Sequence, residues 1–262
     1  MRFERSSVCF TFLGIALASS LQIAAAAQEA PTQNASTSNV ISQLSTAFSG
    51  GRAFQRVQIS GDAAWYAGSQ EDSGTVTLTA SSDGSSQMEL NLAATGKKTE
   101  TQSGVGSSSN CQWSGADGVA HRVDHGNCWR AIPWILPAIA LHPSVLSSQY
   151  RFTDIGAGAV GSGTGVYRHV QGRLAQSGFS GMIDRENKAR STTDIGLDPV
   201  THLPAVLAYS VHPDSGAPLQ VTFEVRYSDY RAVEGAQIPF HIERYVNGSL
   251  QLDIHVTSAV IN

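Results

Sequence analysis

The sequence predicts a mainly β protein built on antiparallel strands that share one apolar face, and three stretches carry that prediction. Leu219, Val221, Phe223, Val225 and Tyr227 alternate with Gln220, Thr222, Glu224 and Arg226. Ile238, Phe240 and Ile242 alternate with His241 and Glu243, and Leu250, Leu252, Ile254 and Val256 alternate with Gln251, Asp253 and His255. A strict period of two marks strands with one face on a core and one in water.

The elements before this sheet read as follows. Arg2 and Arg5 precede an apolar run from Val8 to Ile23, and Ala25-Ala26-Ala27 supplies small residues for cleavage after Ala27. This is the anatomy of a secretory signal peptide, 1–27. Its one cysteine, Cys9, lies far upstream of the cleavage point, so no lipid-modified N-terminus is expected. Residues 28–38 are small and polar and read as a disordered lead-in, leaving 39–262 as a single domain. Val40, Ile41, Leu44, Ala47 and Phe48 then recur at helical spacing and stop at Gly50-Gly51. Val57, Ile59, Ala63 and Trp65 keep one strand parity, with Gly61 in the same row.

Turn arithmetic sets the expected registers. Pairing Leu78 with Leu90 leaves Asp83-Gly84-Ser85 as a three-residue loop with a left-handed glycine. Pairing Ile242 with Ile254 leaves Asn247-Gly248-Ser249, because a two-residue Asn-Gly turn would set Ile242 against Asp253 on the wrong face. A two-residue turn at Glu234-Gly235 sets Tyr227 against Ile242 and Phe223 against Val246. In the middle, Trp134–Leu141 is almost wholly apolar between Pro133 and Pro143. It is too short to cross a bilayer, which takes about 20 residues, and reads as a buried helix laid on the sheet. No later window is long and apolar enough to span a membrane.

Composition and motifs exclude more than they assign. A net charge of −4 with 17 Lys+Arg among 262 residues and no basic run argues against nucleic acid as a partner. Gly156-x-Gly158-x-x-Gly161 matches a dinucleotide fingerprint, but Ser162-Gly163-Thr164-Gly165-Val166-Tyr167 cannot begin a stable helix, so a plain connection is expected. His121 and His125 have the i, i+4 spacing of a helical zinc pair, yet the segment reads as a strand, on which they stand ~13 Å apart. No Gly-x-Ser-x-Gly elbow is present; Gly178-Phe179-Ser180-Gly181 falls one glycine short. No catalytic residue, metal ligand or cofactor is assigned. Asn34-Ala35-Ser36 and Asn247-Gly248-Ser249 are glycosylation sequons that matter only in a eukaryotic secretory route. Cys111 and Cys128 remain after cleavage, and in an oxidising compartment they are expected to pair, stabilising the fold by ~3 kcal/mol. A tight turn at Asp117-Gly118 puts Cys111 opposite Asp124, so the chain must double back after His125 for the sulfurs to meet.

The layout resembles the outer-membrane lipoprotein carrier superfamily, the LolA-like half-barrels. The resemblance rests on the signal peptide, the helix at Val40–Phe48, consecutive antiparallel strands and the apolar stretch at Trp134–Leu146. It is most residue-specific over Tyr227-Ser-Asp-Tyr230-Arg-Ala-Val-Glu-Gly235-Ala-Gln-Ile-Pro239 and the closing strand to Val260-Ile261-Asn262. It implies a single unclosed, curved antiparallel sheet around a few helices, enclosing a cavity for acyl chains or other lipidic ligands, with no metal or cofactor. The implied protein is periplasmic or secreted, is no enzyme, and takes as partner a hydrophobic small molecule, a lipid or an acylated protein. Core packing is the default reading for the four tryptophans; the sharper expectation sets Trp129 and Trp134, flanking the apolar helix, at a cavity rim. The expected ligand-lining residues are Trp65, Trp129, Trp134, Ile135, Leu136, Ile139, Phe223 and Phe240. A cell-envelope interaction module with a filled core is the alternative, and a secreted hydrolase comes third.

Overall fold

The computed structural model describes residues 33–104, 109–123, 125–128, 150–175, 180–212 and 220–262. Thirteen strands form one antiparallel sheet: β1 (Arg56–Ala67), β2 (Gln70–Ser81), β3 (Ser86–Leu92), β4 (Gly96–Ser103), β5 (Asn110–Ser114), β6 (Ala120–Arg122), β7 (Tyr150–Gly158), β8 (Tyr167–Leu174), β9 (Thr193–Leu197), β10 (Pro204–Val211), β11 (Val221–Val233), β12 (Ala236–Val246) and β13 (Ser249–Ile261). Among the described residues three helices accompany them: α1 (Gln33–Ser49), α2 (His125–Cys128) and α3 (Gly181–Arg190). The spatial order is β6-β5-β4-β3-β2-β1-β13-β12-β11-β10-β9-β8-β7. The first six strands meander outward from the centre, the last seven meander back, and β1 meets β13 at the seam. The two edges, β6 and β7, do not pair, so the sheet is curved and unclosed, as expected.

Helix α1 begins at Gln33, inside the stretch expected to be a lead-in. Ser, Thr and Asn dominate it and are weak helix formers; packing makes the helix. Val40, Ile41, Leu44 and Phe48 are buried, and Leu44 is wholly so. They lie on the concave face, against β7 and β12, and join a core of Val57, Ile59, Leu78, Leu90, Ile195, Leu207, Ile242 and Ile254. At about 1.5–3 kcal/mol for each large apolar side chain, this face contributes roughly 6–12 kcal/mol as an upper estimate. Gly50 at φ 63° ends the helix, its N–H donating to the Thr46 carbonyl at 2.8 Å.

The registers correct two expectations. Leu78 pairs with Met88 and Val76 with Leu90, a slip of two residues from the expected pairing. The loop is still three residues, Ser82-Asp83-Gly84, with Gly84 at φ 81°; Ser81 N–H donates to the Ser85 carbonyl at 2.9 Å, and Asp83 Oδ1 accepts from Ser85 N–H at 2.9 Å. Ile242 does pair with Ile254, but the turn is the two-residue Asn247-Gly248, with φ 49° and 79°. A bulge absorbs the parity conflict: Arg244 faces Leu252 whereas Tyr245 faces Leu250, leaving Gln251 as the extra residue. At Glu234-Gly235 the turn is two residues long, and Tyr227 faces Ile242 and Phe223 faces Val246 as expected.

Cys111 and Cys128 form a disulfide. Cys111 stands opposite Val123, whose N–H donates to the Cys111 carbonyl at 2.9 Å, one residue short of the expected Asp124. The chain then doubles back through α2, which returns Cys128 to β5. His121 lies on β6 with its ring stacked on Trp113, centroids 4.3 Å apart, and His125 opens α2, so the two do not share one regular strand. The apolar stretch expected as a helix, 134–146, lies outside the described residues.

Candidate functional site

Cross-strand pairs point to one face of a sheet, so the registers give the composition of the concave surface. Across β1, β2 and β3 it is apolar: Val57, Ile59 and Ala63, then Val76, Leu78 and Ala80, then Met88, Leu90 and Leu92. At β4 it turns polar, because Lys98 lies opposite Leu90, Glu100 opposite Met88 and Gln102 opposite Ser86. On the other side of the concavity Arg244 continues the inward row of β12, opposite Leu252 and Val225.

These polar groups meet across the curl of the sheet. Arg244 Nη1 and Nη2 donate to Glu100 Oε2 and Oε1, each at 2.9 Å. The Arg244 side chain is 4% exposed and that of Glu100 36%. Burial alone would lower the guanidinium pKa; the Glu100 carboxylate outweighs it and holds Arg244 above its ordinary value. Two cations approach the Trp65 ring, Arg244 Cζ at 5.5 Å and Lys98 Nζ at 5.4 Å from its centre. A second staple joins α2 to the end of β10: Asn127 Nδ2 donates to the His212 carbonyl at 2.7 Å, and His212 N–H donates to Asn127 Oδ1 at 3.1 Å. With the disulfide fixing α2 to β5, one end of the half-barrel is drawn together without strand pairing.

Between these staples lies a cavity of about 290 Å³. Trp65, Met88, Tyr209, Val211 and Phe223 give it apolar wall; Glu100, Gln102, Arg244 and Gln251 give it polar wall; the disulfide and Asn127 close one side. Tyr209 and Phe223 stack at 5.2 Å, with planes 6° apart. Burial raises the Tyr209 hydroxyl pKa far beyond the physiological range, so it is neutral. Gln251, displaced by the bulge, has its Oε1 buried, and among the described residues no group donates to it. A larger depression of about 740 Å³ lies on the convex side, against α3 and β9–β11. Its walls mix Glu186, Arg190, Asp194 and Thr222 with Ala189, Ala208, Tyr209 and Phe223.

Of the expected lining residues, Trp65 and Phe223 border the cavity. Phe240 sits instead in the core, with Arg231 Cζ 4.3 Å from its ring centre. Trp129, Trp134, Ile135, Leu136 and Ile139 lie outside the described residues. Arg244 was legible in principle, since it occupies the inward phase of Ile238-Phe240-Ile242. Glu100 and Gln102 were not, because β4 (GKKTETQS) is polar on both faces. The glycine-rich 156–165 stretch ends β7 at Gly158 and then forms most of the β7–β8 connection. It folds over the convex face, where Glu224 Oε2 accepts from Ser162 N–H at 2.6 Å and Ser162 Oγ–H at 2.8 Å, and a strand rather than a helix follows it.

An unclosed antiparallel sheet curled around an N-terminal helix is the architecture of the LolA-like proteins, and solved structures share it across most of the chain. An outer membrane lipoprotein-sorting protein domain from Vibrio parahaemolyticus superposes with a TM-score of 0.52 at 8% identity, covering 87% of this chain and 93% of that one. A LolA superfamily protein from Nitrosomonas europaea gives 0.51 at 9% identity, over 86% and 93%. A DUF1329 family protein from Desulfovibrio piger gives 0.53 at 8%, over 86% and 91%. At such identity the likeness establishes the fold alone. No protein-family model and no curated protein sequence matches the chain.

Proposed function

We propose that the protein is an exported, non-enzymatic carrier or sensor that reversibly buries an apolar group of a lipid or acylated molecule in the concave cavity. The observation that carries this reading is that space remains on the concave face after α1 and the strand side chains have packed. At about 290 Å³ it sits at the lower end of ligand pockets, roughly 300–1,000 Å³, and suits one short chain or ring better than a diacyl lipid. Burying six methylenes there would contribute roughly 5 kcal/mol. The polar wall gives the ligand a direction: the apolar part against Trp65, Met88 and Phe223, and a hydrogen-bonding group towards Gln251 and Gln102. The LolA-like fold supports the reading, as does the leader-like sequence of residues 1–27. No helix among the described residues is long and apolar enough to cross a membrane.

The test is to express the chain with its own leader, recover it without detergent, and extract bound small molecules under denaturing conditions for mass spectrometry. A near-stoichiometric apolar species that is lost in Trp65→Ser and Phe223→Ser is the expected result. An empty protein that also takes up no fluorescent fatty-acid probe would overturn the proposal. That outcome would favour a second reading, an envelope interaction module, for which the specific observation is that α1 already fills much of the concave face.

A further inference from the structure

The convex face carries a cluster that the cavity does not use. The register that sets Ile242 against Ile254 on the concave side also sets His241 against His255 on the convex side. Their rings stack in parallel, centroids 4.6 Å apart and planes within 6°. Asp253, two residues before His255 on β13, reaches both: Oδ1 lies 2.9 Å from His241 Nε2 and Oδ2 lies 3.6 Å from His255 Nε2. The three potential ligand atoms all lie within 4.8 Å of one another.

We infer that His241, Asp253 and His255 form a binding site for a divalent transition ion of the zinc and copper class. Two imidazole nitrogens and one carboxylate are the donor set such ions prefer over magnesium or calcium, which take oxygen ligands. Zinc bonds to His and Asp at about 2.0–2.2 Å, so its ligand atoms stand roughly 3.3 Å apart. The rings stand parallel, so each must tilt out of the stack until both planes meet at the ion; His255 is exposed, and His241 and Asp253 are partly solvent-accessible. Three central strands fix the Cα positions, and Ala64, directly opposite Asp253 on β1, leaves room beside the carboxylate.

The outer shell is also in place. Ser228, opposite His241 on β11, has its Oγ 3.1 Å from His241 Nδ1. In a neutral ring without an ion, Nε2–H donates to Asp253 Oδ1 and Nδ1 accepts from the Ser228 hydroxyl; with an ion on Nε2 the ring proton sits on Nδ1 and donates to Ser228 Oγ, the outer-shell contact that holds a metal-binding histidine in that tautomer. Asp62, opposite His255 on β1, stands on the same convex face and is the nearest protein group in register to supply a fourth ligand; otherwise water takes that position. The order Ser228–His241–Asp253 is also that of a hydrolytic triad. That reading, however, gives no role to His255, which stacks on His241 and lies within reach of Asp253. Ion binding is therefore the chemistry the cluster fits.

The test uses the chain without a polyhistidine tag, dialysed against chelator, and titrated with Zn2+ by calorimetry and with Co2+ by visible absorption. One equivalent bound in the micromolar range is expected, with Co2+ bands of a low-coordinate nitrogen–oxygen site and a thermal midpoint that rises with Zn2+ concentration. His241→Gln and His255→Gln should each weaken Zn2+ binding at least tenfold, and Ser228→Ala about tenfold. His121→Gln and His202→Gln should leave it unchanged. The side chain of His255 is 66% exposed, so its variant keeps the fold, which circular dichroism of the metal-free protein verifies. No saturable Zn2+ binding, or binding that survives both His241→Gln and His255→Gln, would overturn the assignment.

Discussion

The Arg244–Glu100 pair makes an asymmetric prediction. Removing one partner of a buried ion pair typically costs 3–5 kcal/mol, because the remaining charge loses its counter-ion without regaining water. Here the partners differ in access to solvent: Arg244 is 4% exposed and Glu100 36%. Glu100→Gln strands a buried guanidinium. With the figure lowered for the partial exposure of the carboxylate, the expected loss is about 2–3 kcal/mol. Arg244→Met leaves a carboxylate that water can reach, and keeps an aliphatic stem against Trp65, so about 1 kcal/mol is expected. The double variant should be less damaging than the sum of the singles by about 1–2 kcal/mol. Urea unfolding at neutral pH with the disulfide intact, followed by tryptophan fluorescence and far-ultraviolet circular dichroism, measures all four proteins. For slopes of about 1–3 kcal/mol per molar urea, Glu100→Gln lowers the midpoint by roughly 1 M. If Arg244→Met proves the more destabilising single change, or the two effects simply add, the reasoning fails.

Other perturbations are as specific. Burial alone would raise the Glu224 carboxyl, but hydrogen bonds from Ser162 and the neighbouring Arg226 outweigh it and hold it below the usual carboxylate range. A lowered folded-state pKa gives stability that is complete above the unfolded value of about 4.3 and is lost as pH falls through the folded value; acid titration of stability should therefore be flatter in Glu224→Gln than in the wild type. Leu44→Ala in α1 should cost about 2–5 kcal/mol by opening a void against the sheet, read as a lowered thermal midpoint. A Cβ on Gly61 would lie 2.1 Å from the His255 carbonyl oxygen. Gly61→Ala must therefore force β1 from β13, and recovery of folded protein should collapse where Gly68→Ala, at an exposed turn, loses far less. Cys111→Ser with Cys128→Ser should lower stability by ~3 kcal/mol, and proteolysis should then cut first around α2.

What alternation could and could not reveal is clear from individual residues. Tyr227 against Ile242 follows from parity and turn length together, and the structure has it. Leu78 against Leu90 and Leu78 against Met88 both keep the apolar row inside, so parity cannot choose between them; the local turn, with Asp83 bonded to Ser85, decides. At Asn247-Gly248 two rules conflicted, and a bulge at Gln251 satisfied both. The site was half legible. Trp65 and Phe223 sit at inward positions that the pattern marks, whereas Glu100, Asn127 and Tyr209 reach the cavity through the curl of the sheet and the fold-back of α2, which no periodicity encodes. The His241–His255 pair was implied by the Ile242–Ile254 register all along.

The seam between β1 and β13 has a consequence for how the chain reaches this state. Val57 pairs with Ile261, and the Asn262 carbonyl accepts from both Gln55 and Arg56 N–H, at 2.9 and 3.1 Å. Helix α1 likewise leans on β7 and β12, both from the later meander. While the polypeptide emerges from its N-terminal side, β1 therefore presents an open edge of unpaired N–H and C=O groups, and α1 lacks most of its docking surface, until β13 is available. Such late, long-range closure is slow and leaves an aggregation-prone edge in the interim. A fold whose consolidation waits on β13 makes that thirteen-residue strand the segment whose loss it should tolerate least.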